Sequence, residues 1–212
     1  MSDSEKIDAA IKAIKLIDEG CVLGVGTGST VNFLIDNIGH VKDRVDSVVA
    51  SSIQTKVLLE QHGVCVVDLN CVDRVDLYID GADAIDSFGV CIKGGGGALT
   101  QEKIIASSAK KWVCIVDNSK VSNNLYRFKV AIEVIPSARG YVARELVKLG
   151  LVPVYREGFI TDNHNIILDI MNLTNKNSLS AWEDRLNNIV GVVENGIFSK
   201  TPASKVIVGN SC

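Results

Sequence analysis

A chain of 212 residues, 47% of them apolar and 22% charged, is long enough to bury a sizeable core, with or without a smaller second one. A formal charge of −3 at pH 7 argues against a nucleic-acid-binding or membrane-attracted surface, which would show a basic stripe. Aromatic residues make up only 5% against 18 glycines and 3 prolines, so the core is expected to be aliphatic and many turns glycine-made, a mixture suited to an α/β protein.

Ser4 is placed to cap a first helix in which Ile7, Ala10, Ile11, Ile14 and Ile17 keep helical spacing until Gly20 ends it. A strand is expected over 21–25, then the turn Gly26-Thr27-Gly28-Ser29, a helix over about 30–38 and a strand near 45–50. A helix over 52–62, closed by Gly63, and strands over 64–67, 75–80 and 90–92 follow. Four glycines open a helix over 98–110, and a strand over 112–117 ends this half. Nearly all-apolar strands separated by helices imply a parallel sheet covered on both faces, with ligands at the carboxyl ends of its strands.

After Phe128 the rhythm changes to strand 130–135, helix 137–149, strands 151–155 and 165–171, helix 178–187 and strand 190–194. That β-α-β-β-α-β order is the split pattern of ferredoxin-like units. A last strand, 205–208, is expected to return to the first sheet. The fold class is therefore α/β: a Rossmann-like, doubly wound, mainly parallel sheet over 1–128 and 200–212, with a smaller ferredoxin-like α+β lid over 129–199.

Three stretches have the residue types that chemistry needs. In Gly26-Thr27-Gly28-Ser29-Thr30, backbone N–H groups and hydroxyls at a helix amino end make a cradle for phosphate. A dinucleotide fingerprint would require glycine at Ser29 and an acidic end to the second strand, which instead ends Ala50-Ser51-Ser52. In Asp80-Gly81-Ala82-Asp83 two carboxylates flank a glycine turn at a strand end, suited to holding sugar hydroxyls or shuttling protons. A third carboxylate, Asp86, is expected to belong to that turn.

The most informative stretch is Lys93-Gly94-Gly95-Gly96-Gly97-Ala98-Leu99-Thr100-Gln101-Glu102-Lys103. Four consecutive glycines cost backbone entropy, so something is expected to approach that backbone closely. Lys93 supplies a cation before the loop, and Glu102 stands about one turn into the helix, tilted back toward its amino end. Lys120, after Asp117-Asn118-Ser119, sits where a cation would hold an anion. Lys6 and Lys103 read as solvated, and Arg139, Arg144 and Arg156 as surface or interface charges.

The six cysteines, Cys21, Cys65, Cys71, Cys91, Cys114 and Cys212, form no C-x-x-C pair or zinc spacing, and His40, His62 and His164 join no cysteine or carboxylate motif. No metal site is expected, and four of the cysteines lie in apolar strand-like runs as small buried hydrophobes. Met1-Ser2-Asp3-Ser4-Glu5-Lys6 has no basic region leading into an apolar stretch, and no apolar run reaches the ~18 residues of a membrane span, so a cytoplasmic location is expected.

Taken in this order, Gly26 to Thr30, Asp80 to Asp83, Lys93 to Lys103 and Val116 to Lys120 closely resemble the type A ribose-5-phosphate isomerases. The resemblance extends through Glu133-Val134-Ile135-Pro136, Thr161-Asp162-Asn163 and Pro202 to Gly209. It implies a Rossmann-like domain with an α+β lid, a homodimer or dimer of dimers, no cofactor, and a pentose phosphate as the small-molecule partner. The family's proton-accepting glutamate falls on Glu102. Its substrate-contacting positions fall on Thr27, Gly28, Ser29 and Thr30, on Asp80, Gly81, Ala82 and Asp83, on Lys93, Gly94, Gly95 and Gly96, on Lys120, and on Lys6. One departure is visible: the family commonly has Glu after the second aspartate, and here the residue is Ala84.

The resemblance implies interconversion of ribose 5-phosphate and ribulose 5-phosphate through an enediolate, with Glu102 as base, Lys93 and glycine N–H groups facing developing negative charge, and Asp80 and Asp83 assisting ring opening and oxygen protonation. A non-catalytic sugar-phosphate sensor is the alternative of another class. A nucleotide-dependent oxidoreductase is disfavoured by the glycine spacing.

Overall fold

The computed structural model describes residues 3–210; Met1, Ser2 and Cys212, named above, lie outside them. The strands are β1 (Cys21–Val25), β2 (Val45–Ala50), β3 (Val75–Asp80), β4 (Ala84–Ile85), β5 (Cys91–Ile92), β6 (Ala109–Val116), β7 (Val130–Val134), β8 (Val152–Tyr155), β9 (Ile166–Met171), β10 (Val192–Asn195), β11 (Ile197–Phe198) and β12 (Lys205–Val208). The α-helices are α1 (Asp3–Ile14), α2 (Ser29–Asp36), α3 (Ile53–Gln61), α4 (Leu99–Ser108), α5 (Arg139–Lys148) and α6 (Leu179–Asn187). None is long and apolar enough to cross a membrane.

The chain forms two compact units. One runs through Ala82 and takes in Gln101–Val121 and the stretch from Ala203; the other comprises Asp83–Thr100 and Ser122–Pro202. Residues 83–100, 122–128 and 200–202, expected in the first domain from sequence, group with the second unit. The reason is pairing: β4 and β5 form an antiparallel hairpin, and β5 pairs with β11, far along the chain. Strands of two residues carry too little pattern to reveal such a partner.

In the first unit, five parallel strands lie in the order β12-β6-β3-β1-β2, and β12 returns to the sheet beside β6 as expected. Leu23, Val25, Leu77, Ile79, Val113 and Ile115 bring an aliphatic layer that packs with Val31, Leu34 and Ile35 of α2. Parallel strands running the same way put the turn after β1, the end of β3 and the turn after β6 at one edge.

Three sequence expectations change here. Ser4 lies inside α1 rather than capping it, and the helix buries Ala9, Ala10 and Ala13 while Ile7 and Ile11 remain 37% and 42% exposed. Small alanines let α1 lie close, and periodicity alone does not say which stripe a neighbour will take. Residues 64–67 make only one parallel bridge, Val48 to Val66, so Cys65 is exposed, whereas Cys21, Cys91 and Cys114 are buried. Burial first, and then the nearby carboxylates of Asp76 and Asp18, push the Cys21 thiol up to about 11.

The second unit follows the split pattern: β7, α5, β8, β9, α6 and β10 in chain order, with the antiparallel sheet ordered β10-β7-β9-β8. Ile132, Val134, Leu168 and Ile170 of its strands meet Val142, Leu146, Trp182 and Leu186 of its helices. Ala84 is fully buried in that same core, so the departure from the family's Glu places a small apolar side chain in an apolar environment.

Candidate active site

In the first unit Asp80 ends β3 with no exposed surface, and its position follows from three donors. Its Oδ1 accepts the N–H groups of Thr27 at 3.0 Å and Gly81 at 2.7 Å, and its Oδ2 accepts the Tyr78 hydroxyl. Tyr78 is fully buried; burial, followed by the charges of Asp80 and Glu102, raises its phenol well above the ordinary value, so it remains a proton donor. Glu102 stands in the first turn of α4, 5% exposed, near enough for its charge to act on that phenol. Nothing in the sequence singles out Tyr78, because a tyrosine in an apolar strand looks like core.

The turn after β1 is fastened from α3 and its approach. Thr27 Oγ1 lies 2.8 Å from the hydroxyls of Ser51 and Ser52 and 3.1 Å from that of Thr55, whose hydroxyl also donates to the Gly26 carbonyl at 2.8 Å. Ser52 in turn caps α3. Ala50-Ser51-Ser52, which spoke against a dinucleotide site, is therefore part of what holds this loop. A Cβ on Gly26 would stand 2.0 Å from the Asp80 carboxyl, and Gly28 sits at φ 130°, so both positions require glycine. Gly28 and Ser29 are exposed and Thr30 is half-buried at the amino end of α2, leaving this turn open to an anion.

After β6, Asp117 Oδ1 accepts the Ser119 N–H at 2.9 Å and also the Ser119 hydroxyl. Burial opposes ionisation of Asp117, but the two Ser119 bonds and the charges of Lys120 and Lys6 outweigh it and hold the carboxyl below its ordinary value. The structure thus groups Lys120 and Lys6 around Asp117. The Lys6 side chain is only 12% exposed, with Asp3 at 3.8 Å, and Lys103 is buried, so neither is the solvated lysine expected.

In the second unit Asp83 Oδ2 accepts the Gly95 N–H at 2.7 Å, and Lys93 is buried, its Nζ 5.7 Å from the centre of the Phe198 ring. The tetraglycine loop needs its glycines for separate reasons. A Cβ on Gly94 would meet Ala131 at 2.7 Å, on Gly95 the Asp83 carboxylate at 2.6 Å, and on Gly97 the Phe159 ring at 2.2 Å; on Gly96 it would meet nothing. Asp86 accepts the N–H groups of Phe88 and Val90, so it serves the connection between β4 and β5 rather than the Asp80–Asp83 turn. Glu133, fully buried, accepts from the hydroxyls of Thr100 and Thr161 and the amides of Asn163 and Asn165, tying the start of α4 to the turn before β9. Arg156, expected as a surface or interface charge without a motif, bonds the tetraglycine loop through its guanidinium.

The first unit thus presents a glycine turn at a parallel-sheet edge, and the second a glycine loop beside a carboxylate and a buried lysine. A model of the family described as ribose 5-phosphate isomerase A (phosphoriboisomerase A) matches residues 47–212. The chain belongs to the ribose 5-phosphate isomerase A family. The Legionella pneumophila (strain Lens) ribose-5-phosphate isomerase A is 55% identical over 206 residues, covering 97% of this chain and 95% of that protein. The crystal structure of ribose 5-phosphate isomerase A from Neisseria gonorrhoeae superposes with a TM-score of 0.94 at 40% identity, covering 97% of this chain and 92% of that one. A D-ribose-5-phosphate isomerase in complex with phospho-erythronic acid gives 0.92 at 37% identity, covering 99% and 96%.

Proposed function

We propose that this chain interconverts D-ribose 5-phosphate and D-ribulose 5-phosphate through an enediolate. The observation that carries the reading is the buried Glu102 in the first turn of α4, within a family member 55% identical to a named isomerase. An aldose–ketose exchange moves one proton between neighbouring carbons and rearranges electrons inside the substrate, so it needs no redox partner. What it needs is a base, donors for the developing oxyanion, and a grip on the phosphate.

Glu102 is the base that takes the C2 proton and returns it to C1. A positioned general base contributes about 10²- to 10⁴-fold in rate. Lys93 and the N–H groups of Gly94 and Gly96 supply donors for the oxyanion, while Gly95 contacts the substrate beside Asp83, which its own N–H holds. Asp80 and Asp83 share ring opening and proton delivery to oxygen. Thr27, Gly28, Ser29 and Thr30 bind the sugar phosphate with Gly81 and Ala82, while Lys120 and Lys6 neutralise the phosphate, whose binding energy orients the reacting carbons. Part of the same reading is a cytoplasmic homodimer or dimer of dimers without a nucleic-acid or membrane partner.

The test is conversion of ribose 5-phosphate in the presence of chelator, wild type against Glu102→Gln. Turnover that falls by about 10² or more in a variant that still binds substrate supports the reading. Binding without turnover in the wild type would make the chain a sensor, and an unimpaired variant would remove Glu102 as the base.

A further inference from the structure

Four glycines in a row leave the peptides of residues 94–97 with little preference between orientations, since each residue reaches positive and negative φ almost equally. Something outside the loop has to choose. Arg156 is placed to do so. Its Nη1 donates to the carbonyls of Gly94 and Gly95, each at 3.1 Å, while its Nε and Nη2 hold Asp169 at 3.0 and 2.5 Å. The guanidinium lies 5.3 Å from the centre of the Phe159 ring, and Phe159 is the residue a Cβ on Gly97 would strike.

A trans peptide points its C=O and the next residue's N–H in opposite directions. Drawing the Gly94 and Gly95 carbonyls to one guanidinium therefore turns the N–H groups of Gly95 and Gly96 to the other side. The first is the N–H that meets Asp83 Oδ2 at 2.7 Å, and the second belongs to an exposed residue. We propose that Arg156, fixed by Asp169, is a positioning residue: it sets two consecutive glycine peptides so that one N–H orients Asp83 and the next faces the substrate's developing negative charge. The role in turnover rests on the isomerase reading; the setting of the loop does not.

Lysine has a single charged centre and cannot hold a carboxylate through two nitrogens while giving a third to two carbonyls. Arg156→Lys keeps the charge and breaks the fork, and Arg156→Gln serves as a second variant should the first fold poorly. Hydrogen exchange of the 93–98 segment, read in the free protein without substrate, is expected to speed up by about tenfold or more in either variant, as loss of a charge-assisted bond implies. kcat is expected to fall by at least about tenfold while KM changes by less than about threefold, because donors aimed at charge formed only in the transition state act on kcat. Guanidinium ion added to Arg156→Ala is expected to restore part of kcat. Wild-type exchange in the loop of both variants overturns the inference, whatever their activity. Faster exchange with unchanged kcat overturns the catalytic consequence, and an inactive wild type overturns the isomerase reading while exchange still decides the positioning.

Discussion

The turn after β1 and the tetraglycine loop are both glycine-rich and are held by different kinds of partner. The first is short and is fastened by neighbours: the Thr27 N–H and the Asp80 carboxyl meet across adjacent parallel strands, and hydroxyls from residues 51–55 hold Thr27. The second is fastened by side chains from elsewhere in its unit, with Arg156 on its carbonyls and Asp83 on an N–H. What an added atom would meet differs: at Gly26 it is the buried Asp80 side chain at its Cγ and Cβ, at Gly97 the outer edge of a phenyl ring, which can give way.

The largest effect is expected where the first loop meets Asp80. In Gly26→Ala the new Cβ would overlap Asp80 Cγ at 2.0 Å and Cβ at 2.4 Å, atoms with nowhere to go in a buried side chain. A loss of kcat/KM of about 10² or more and destabilisation of about 1–3 kcal/mol are expected, by kinetics and urea unfolding. Gly97→Ala meets the outer edge of the Phe159 ring at φ 80°, so its cost is expected to be partly recovered by Phe159→Ala. No second substitution should rescue Gly26→Ala in the same way, and a mild Gly26→Ala would break the comparison.

Tyr78→Phe sharpens it at the next level. The ring and its packing stay, and only the donor to Asp80 Oδ2 is removed. Loss of one hydrogen bond to a buried charged group is expected to cost about 1.5–3 kcal/mol of stability. A fall of about tenfold in kcat with KM nearly unchanged is expected if Asp80 then loses its alignment for proton transfer. Equal effects of the substitution in wild-type and Asp80→Asn backgrounds would show that the hydroxyl does not act through Asp80.

The smallest effect belongs to the turn after β6, where Asp117 is served by its own neighbour Ser119. Because its folded pKa lies below its unfolded value, the stability it adds is present above about pH 4 and is lost as pH falls through the folded pKa. The stability gap between wild type and Asp117→Asn should therefore be flat above about pH 5 and shrink in acid, as followed by urea unfolding at each pH. A gap that widens on acidification would reverse the assigned direction.

Sequence alone determined the alternation of long strands and helices in the first unit and the β-α-β-β-α-β order of the second. Long apolar strands between helices specify a parallel sheet because only burial on both faces explains them, and the return of β12 beside β6 followed the same pattern. The glycine turns and the positions of Asp80, Asp83, Lys93 and Glu102 at strand ends and a helix start were visible in the sequence, and their catalytic roles are part of the proposal. Tertiary structure alone decided which alanines of α1 face inward, that 84–92 pairs with 197–198, and that Cys65 is exposed. It also decided that Tyr78 serves Asp80, that Glu133 gathers four donors, and that Arg156 grips a loop some 60 residues earlier, a separation of 61–62 positions. A residue's own pattern reports its local conformation, but what its polar atoms touch depends on segments brought together by packing, and a lone arginine or tyrosine carries no spacing that names its partner.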